Sequence, residues 1–200
     1  MTTTLLSVDL AAKLSAVILR GAGGEVTRQF DSRGKTPLRF LQEIAVASAE
    51  ADIVIVEDVP YGVSSQAMVK PVLRLQGALC AYLTAKGTLD RTLFMGPSVW
   101  MKDFPGVQHA TTKGLSKSAA DKERIETAAS HAKIAGYLPP DLVSEYIANL
   151  PPGKKALKKD TGILEKSMTD YVSAFLMSEF SRRFSFEQLL AMPGVSLGSL

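Results

Sequence analysis

Thr4-Leu5-Leu6-Ser7-Val8-Asp9 and Ile53-Val54-Ile55-Val56-Glu57 decide the reading of this chain. Each is a short run, rich in apolar and β-branched residues, that ends in an acid. Such runs read as buried strands. An ionised carboxylate is costly to bury unless it is paired or coordinates a metal. If the two strands lie side by side, their acids meet at one edge of a sheet. There they can hold a divalent cation, as the site of a metal-dependent nuclease requires.

Working outward, residues 4–10, 14–20 and 25–31 read as three successive strands. Gly21-Ala22-Gly23-Gly24 between the last two is a hairpin turn, without the further spacing of a phosphate-binding fingerprint. Thr36-Pro37 opens a helix, a cap followed by proline in the first turn. Leu38, Leu41, Ile44, Ala45 and Ala49 carry its helical spacing to about Glu50, and a fourth strand, Asp52–Glu57, follows at once. Ser64 to Lys86 reads as a long helix striped by Met68, Val72, Leu75, Leu79 and Leu83, with Pro71 marking a start or kink. Leu93-Phe94-Met95 is a fifth strand. Residues 119–135 and 140–148 read as helices, and a last long helix runs from about Leu164 to Phe184 with Asp170 near its start.

Three closely spaced strands cannot be joined by parallel crossovers, so they form an antiparallel meander. Joined to later parallel strands, the meander gives an α/β protein with a ribonuclease H-like, mixed five-stranded sheet flanked by helices. The expected organisation is one domain over residues 1–185 and a C-terminal tail over 186–200. Two hundred residues, 46% hydrophobic and 22% charged, suit one core.

No run is apolar for long enough to span a bilayer, and the N-terminus has no signal-peptide pattern. Cys80 is the only cysteine and cannot form an internal disulfide, which fits a reducing cytoplasm, or a host cytoplasm if the chain is viral. His109 and His131 have no cysteine cluster beside them and read as structural, which argues against a nitrogen-and-sulfur zinc site. Oxygen ligands point to Mg²⁺ or Mn²⁺. The net charge of +3 implies no nucleic-acid partner by itself. Its distribution is more informative. Lys113, Lys117, Lys122, Arg124 and Lys133 mark one basic stretch, and Lys154, Lys155, Lys158 and Lys159 a denser one. Each reads either as a solvated face or as a phosphate-binding surface.

Several segments resemble the RuvC family of Holliday junction resolvases. Ser7-Val8-Asp9 resembles the family's first acid-bearing strand. Val56-Glu57-Asp58-Val59, followed by Ser64-Ser65-Gln66-Ala67 and Leu73-Arg74-Leu75-Gln76-Gly77-Ala78-Leu79, is similar to its second-acid strand and the helix after it. Ala119-Ala120-Asp121-Lys122-Glu123-Arg124-Ile125 resembles its basic segment, and Thr169-Asp170-Tyr171-Val172-Ser173-Ala174 its final acid-bearing helix. The segments cover most of residues 4–180 in the family's order. One position departs: where the family places a further acid or a histidine, three residues before the last acid, this chain has Ser167. Ser167, Glu165, Asp160 or water is left to complete the ligand set.

The resemblance implies that Asp9, Glu57 and Asp170 bind two Mg²⁺ ions, with Mn²⁺ able to substitute, and hydrolyse a phosphodiester of a four-way DNA junction in recombination and repair. Asp58 competes with Glu57 and alternates to the opposite face of the strand; the resemblance places the family acid at Glu57. Lys113, Lys117, Lys122 and Arg124 are candidates for phosphate contacts. Tyr61, in the Pro60-Tyr61-Gly62 loop, either stacks on a base at the junction centre or covers the core. Trp100 reads as a core or interface residue. Two equal cuts in a two-fold junction call for a symmetric homodimer, with the 64–86 helix at its interface.

Two other readings stay open: a RuvC-like module that binds branched DNA without turnover, and a nuclease for flaps or forks. An ATPase of the actin and sugar-kinase type is excluded because Leu10-Ala11-Ala12-Lys13, rather than glycine and a hydroxyl, follows Asp9. A serine hydrolase is excluded because no Gly-x-Ser-x-Gly elbow is present.

Overall fold

Described over residues 3–11, 15–59, 66–104 and 169–198, the computed structural model of the chain is built around its first strand. That strand, β1 (Leu5–Asp9), pairs antiparallel with β2 (Ala16–Arg20), which pairs antiparallel with β3 (Val26–Asp31). On its other side β1 pairs parallel with β4 (Ile53–Glu57), and β4 parallel with β5 (Thr92–Met95). The meander-then-parallel order read from the strand spacing is therefore the order of the sheet, and the fold is ribonuclease H-like.

One strand was not foreseen. Val195–Leu197 forms β6, antiparallel to β5, and completes a six-stranded sheet in the order β3-β2-β1-β4-β5-β6. The stretch expected as a tail from residue 186 is thus structured through residue 197. It carries a short helix, Phe186–Leu190, before the strand, opened by a capping box in which Ser185 and Gln188 satisfy each other's backbone N–H groups.

Helices cover both faces. On one lie α1 (Pro37–Ser48) and α2 (Gln66–Lys86), packed over Leu6, Val8, Val17, Val54 and Val56. Thr36 caps α1 by accepting the Arg39 N–H at 3.3 Å, with Pro37 in the first turn as its sequence requires. The long helix runs through Pro71 rather than starting at it, so one N–H bond is missing near its second turn.

The opposite face carries α3 (Pro97–Trp100), α4 (Thr169–Ser181) and α5 (Phe186–Leu190). There Tyr171, Val172, Phe175 and Leu176 of α4 pack on Leu5, Ile18, Ile53 and Ile55. Strand alternation sends odd-numbered residues of β1 and β4 to this face and even-numbered ones to the other. Asp9 and Glu57, both odd, therefore point toward α4.

At the end of the sheet away from Asp9, Gly24 takes φ +92° in the β2–β3 turn. The buried Arg20 reaches from that hairpin to Glu179 on α4, its guanidinium lying over the Phe175 ring. Among the described residues no helix is long and apolar enough to cross a membrane. The helices expected at 119–135 and 140–148 lie outside the described residues.

Candidate active site

Parallel pairing of β1 with β4 puts Val8 opposite Val56, and the next step along both strands brings Asp9 beside Glu57. Both strands end at their acid. Asp9 is only 5% exposed, and Glu57 is half-buried at the rim. Asp170, in the first turn of α4, faces the same edge closely enough for its charge to act on Asp9. The three acids expected to form the site are thus neighbours in space.

Their electrostatics follow from that crowding. Burial, then the negative charges of Glu57 and Asp170, push the Asp9 carboxyl well above the ordinary aspartate range; a hydrogen bond from Ser173 works against them. Burial pushes Glu57 up to about 7, while contacts to Asp9 and Trp100 pull it back. Two carboxyls in contact can share a hydrogen bond only if one of them keeps a proton. Near neutrality the pair therefore holds a proton that a cation would replace.

Three residues not assigned to the site from sequence support this pair, among them Trp100, expected in the core or at an interface and found in the core. Gln76, buried on α2, donates its side-chain N–H to the Glu57 carbonyl at 3.0 Å and fixes the end of β4. Ser173, one turn beyond Asp170, reaches Asp9. Trp100, 1% exposed, turns its indole N–H toward Glu57. That contact falls short of a full hydrogen bond, yet it favours the ionised carboxylate. Asp58 takes no part: its carboxylate accepts the Val59 N–H at 2.8 Å, and its own N–H bonds Met95 O at 2.9 Å.

Buried oxygen donors of like charge are the chemistry that suits a hard divalent cation, and Asp9, Glu57 and Asp170 fit such an ion by donor type. Among the described residues no group of three or more His, Cys, Asp or Glu side chains is already closed around one point. The Asp9–Glu57 pair is therefore the core of the candidate centre, with Asp170 at charge-interaction range. Ser167, Glu165 and Asp160, the candidates for a further ligand, lie outside the described residues. So do Tyr61, Lys113, Lys117, Lys122 and Arg124, the candidates for DNA contacts, and the Lys154–Lys159 cluster.

No protein-family model matches the chain, and no curated protein sequence matches it. Among solved structures it is similar to T. thermophilus RuvC in complex with Holliday junction substrate. The identity is 14%, the match covers 90% of this chain and 95% of that one, and the TM-score is 0.48. Strand order and direction, rather than this likeness, carry the assignment of the fold.

Proposed function

We propose that this chain is a metal-dependent endonuclease that cuts four-way DNA junctions. The observation that carries the reading is the pairing of Asp9 with Glu57 at the end of two parallel strands, on the face where α4 presents Asp170. The order of the RuvC-like motifs along the sequence supports the choice of substrate.

Asp9, Glu57 and Asp170 would hold Mg²⁺ or Mn²⁺. Such an ion supplies charge stabilisation to a phosphodiester under attack and lowers the pKa of water. The protein's own part is to keep the acids dry, close and deprotonated on demand. Gln76 and Trp100 orient Glu57, Ser173 orients Asp9, and the pair would give up its shared proton to bind a cation.

A symmetric dimer would present two such sites to opposite strands. The half-exposed Leu73, with Gly77 and Ala81 exposed along the same side of α2, is suited to that contact.

The test is incubation of the purified protein with a labelled synthetic four-way junction and Mg²⁺ or Mn²⁺, beside the Asp9→Asn variant and a linear duplex. Paired symmetric nicks confined to the junction, and lost in the variant, are the expected result. Binding without cutting would overturn the enzymatic reading in favour of a junction-binding module. Cutting of flaps or linear DNA would keep the chemistry and change the substrate.

A further inference from the structure

The row of residues across the sheet at Asp9 runs Asp9, Ala16, Asp31, because Asp9 pairs with Ala16 and Ala16 with Asp31. Paired residues share a face, so Asp31 also points toward α4. It lies two strands from Asp9, roughly 10 Å away by ordinary strand spacing, too far to share an ion with it.

Asp31 is 7% exposed, and its carboxylate has definite partners. Oδ1 accepts the Arg33 backbone N–H at 2.9 Å, and Oδ2 accepts the Arg33 Nε–H at 2.6 Å. Oδ2 also accepts the Tyr171 hydroxyl at 3.0 Å, in a contact buried between β3 and α4. Tyr171 directly follows Asp170.

That adjacency matters because Asp170 occupies a difficult position. It must stay beside two buried carboxyls, and its charge acts against that of Asp9. Through its hydroxyl, 3.0 Å from Asp31 Oδ2, Tyr171 ties this part of α4 to the end of β3. Arg33 neutralises Asp31, so the tie adds no further negative charge to the site.

We propose that Asp31 and Tyr171 form a strut that positions Asp170 against Asp9, so that the metal-binding set is completed from the β3 side of the sheet. Both are positioning residues, and the inference rests on the reading of the three acids as a metal centre.

Direct Mn²⁺ binding, followed by electron paramagnetic resonance on the metal-titrated protein without DNA, tests it. Tyr171→Phe keeps the ring in the core and removes only the hydroxyl. It should weaken Mn²⁺ binding by about 10- to 100-fold, the usual effect of losing a partner that orients a ligand. Asp31→Asn should act in the same direction, and the double variant should be no worse than the weaker single one. Ser178→Ala, which removes a buried hydroxyl further along α4 that donates to Phe175 O, should leave the affinity unchanged. A general loosening of the helix would lower both.

Tyr171→Phe binding Mn²⁺ like the wild type, while Asp9→Asn does not bind, would overturn the strut and leave the metal centre standing. Wild type binding no better than Asp9→Asn would overturn both.

Discussion

Raising the pH should destabilise the metal-free protein, and the effect should vanish when the acid pair is removed. Glu57 has an ordinary value of 4.5 and a folded value of about 7. Between these values the folded chain holds a proton that the unfolded chain has released. Its stabilising contribution is therefore complete below 4.5 and is lost as the pH rises through 7. The gap corresponds to about 3 kcal/mol. Asp9, raised by the same burial and by its neighbours' charges, acts in the same direction. For a chain of 200 residues the loss amounts to a fall in melting temperature of roughly 6–12 °C.

The assay is thermal unfolding by circular dichroism in EDTA at constant ionic strength, from about pH 5 to pH 8. Glu187, whose carboxyl is pulled down by its own backbone N–H and by the Ser185 hydroxyl, contributes a constant amount above 4.5 and loses it only as the pH falls further, so it stays out of this window. The Asp9→Asn/Glu57→Gln double variant supplies the baseline, since it differs from wild type only at the acid pair. Wild type should fall relative to the variant as the pH rises, and Mg²⁺ at pH 8 should restore wild type alone. Parallel curves for the two proteins would refute the reasoning, because they would mean that the pair carries no strained proton.

Trp100→Phe removes the N–H that favours ionised Glu57, so the pH at which wild-type stability is lost should move upward in the same melting series. Gln76→Ala removes the donor to the Glu57 carbonyl; it should cost about 1 kcal/mol of stability and weaken Mn²⁺ binding, read by denaturant titration and by spin resonance. Leu176→Ala opens a cavity where α4 meets the sheet; it should cost about 2–5 kcal/mol in urea unfolding. Deleting residues 192–200 removes β6 and should lower the melting temperature and expose the β5 edge, seen as concentration-dependent light scattering.

The parts of the molecule written in local periodicity were legible in the sequence. β1 and β4 announce themselves as apolar runs closed by acids, and Thr36-Pro37 opens α1 where its side chains say it should. The meander followed from spacing alone. β6 was not legible because Val195-Ser196-Leu197, bounded by Gly194 and Gly198, is too short for any alternation to register. Its strand character comes from pairing with β5.

The site divides in the same way. Asp9 and Glu57 stand at the ends of elements, whereas Gln76, Ser173 and Trp100 sit within ordinary helical patterns. Their polar atoms matter only because tertiary packing aims them at the acids. The Asp31–Tyr171 bond joins residues 140 positions apart, and no local signal marks either as a partner.

The placement of α4 has a consequence for synthesis. Glu57 and Asp170 are separated by 113 residues, which at ordinary translation rates is a delay of about 6–23 s. Throughout that interval Leu5, Ile18, Ile53 and Ile55 have no α4 to cover them. A nascent chain that has made β1 to β4 therefore has an apolar sheet face without its α4 cover, and it lacks Asp170 of the proposed centre. The last acid of the proposed centre and the cover of that face arrive together, with the same helix.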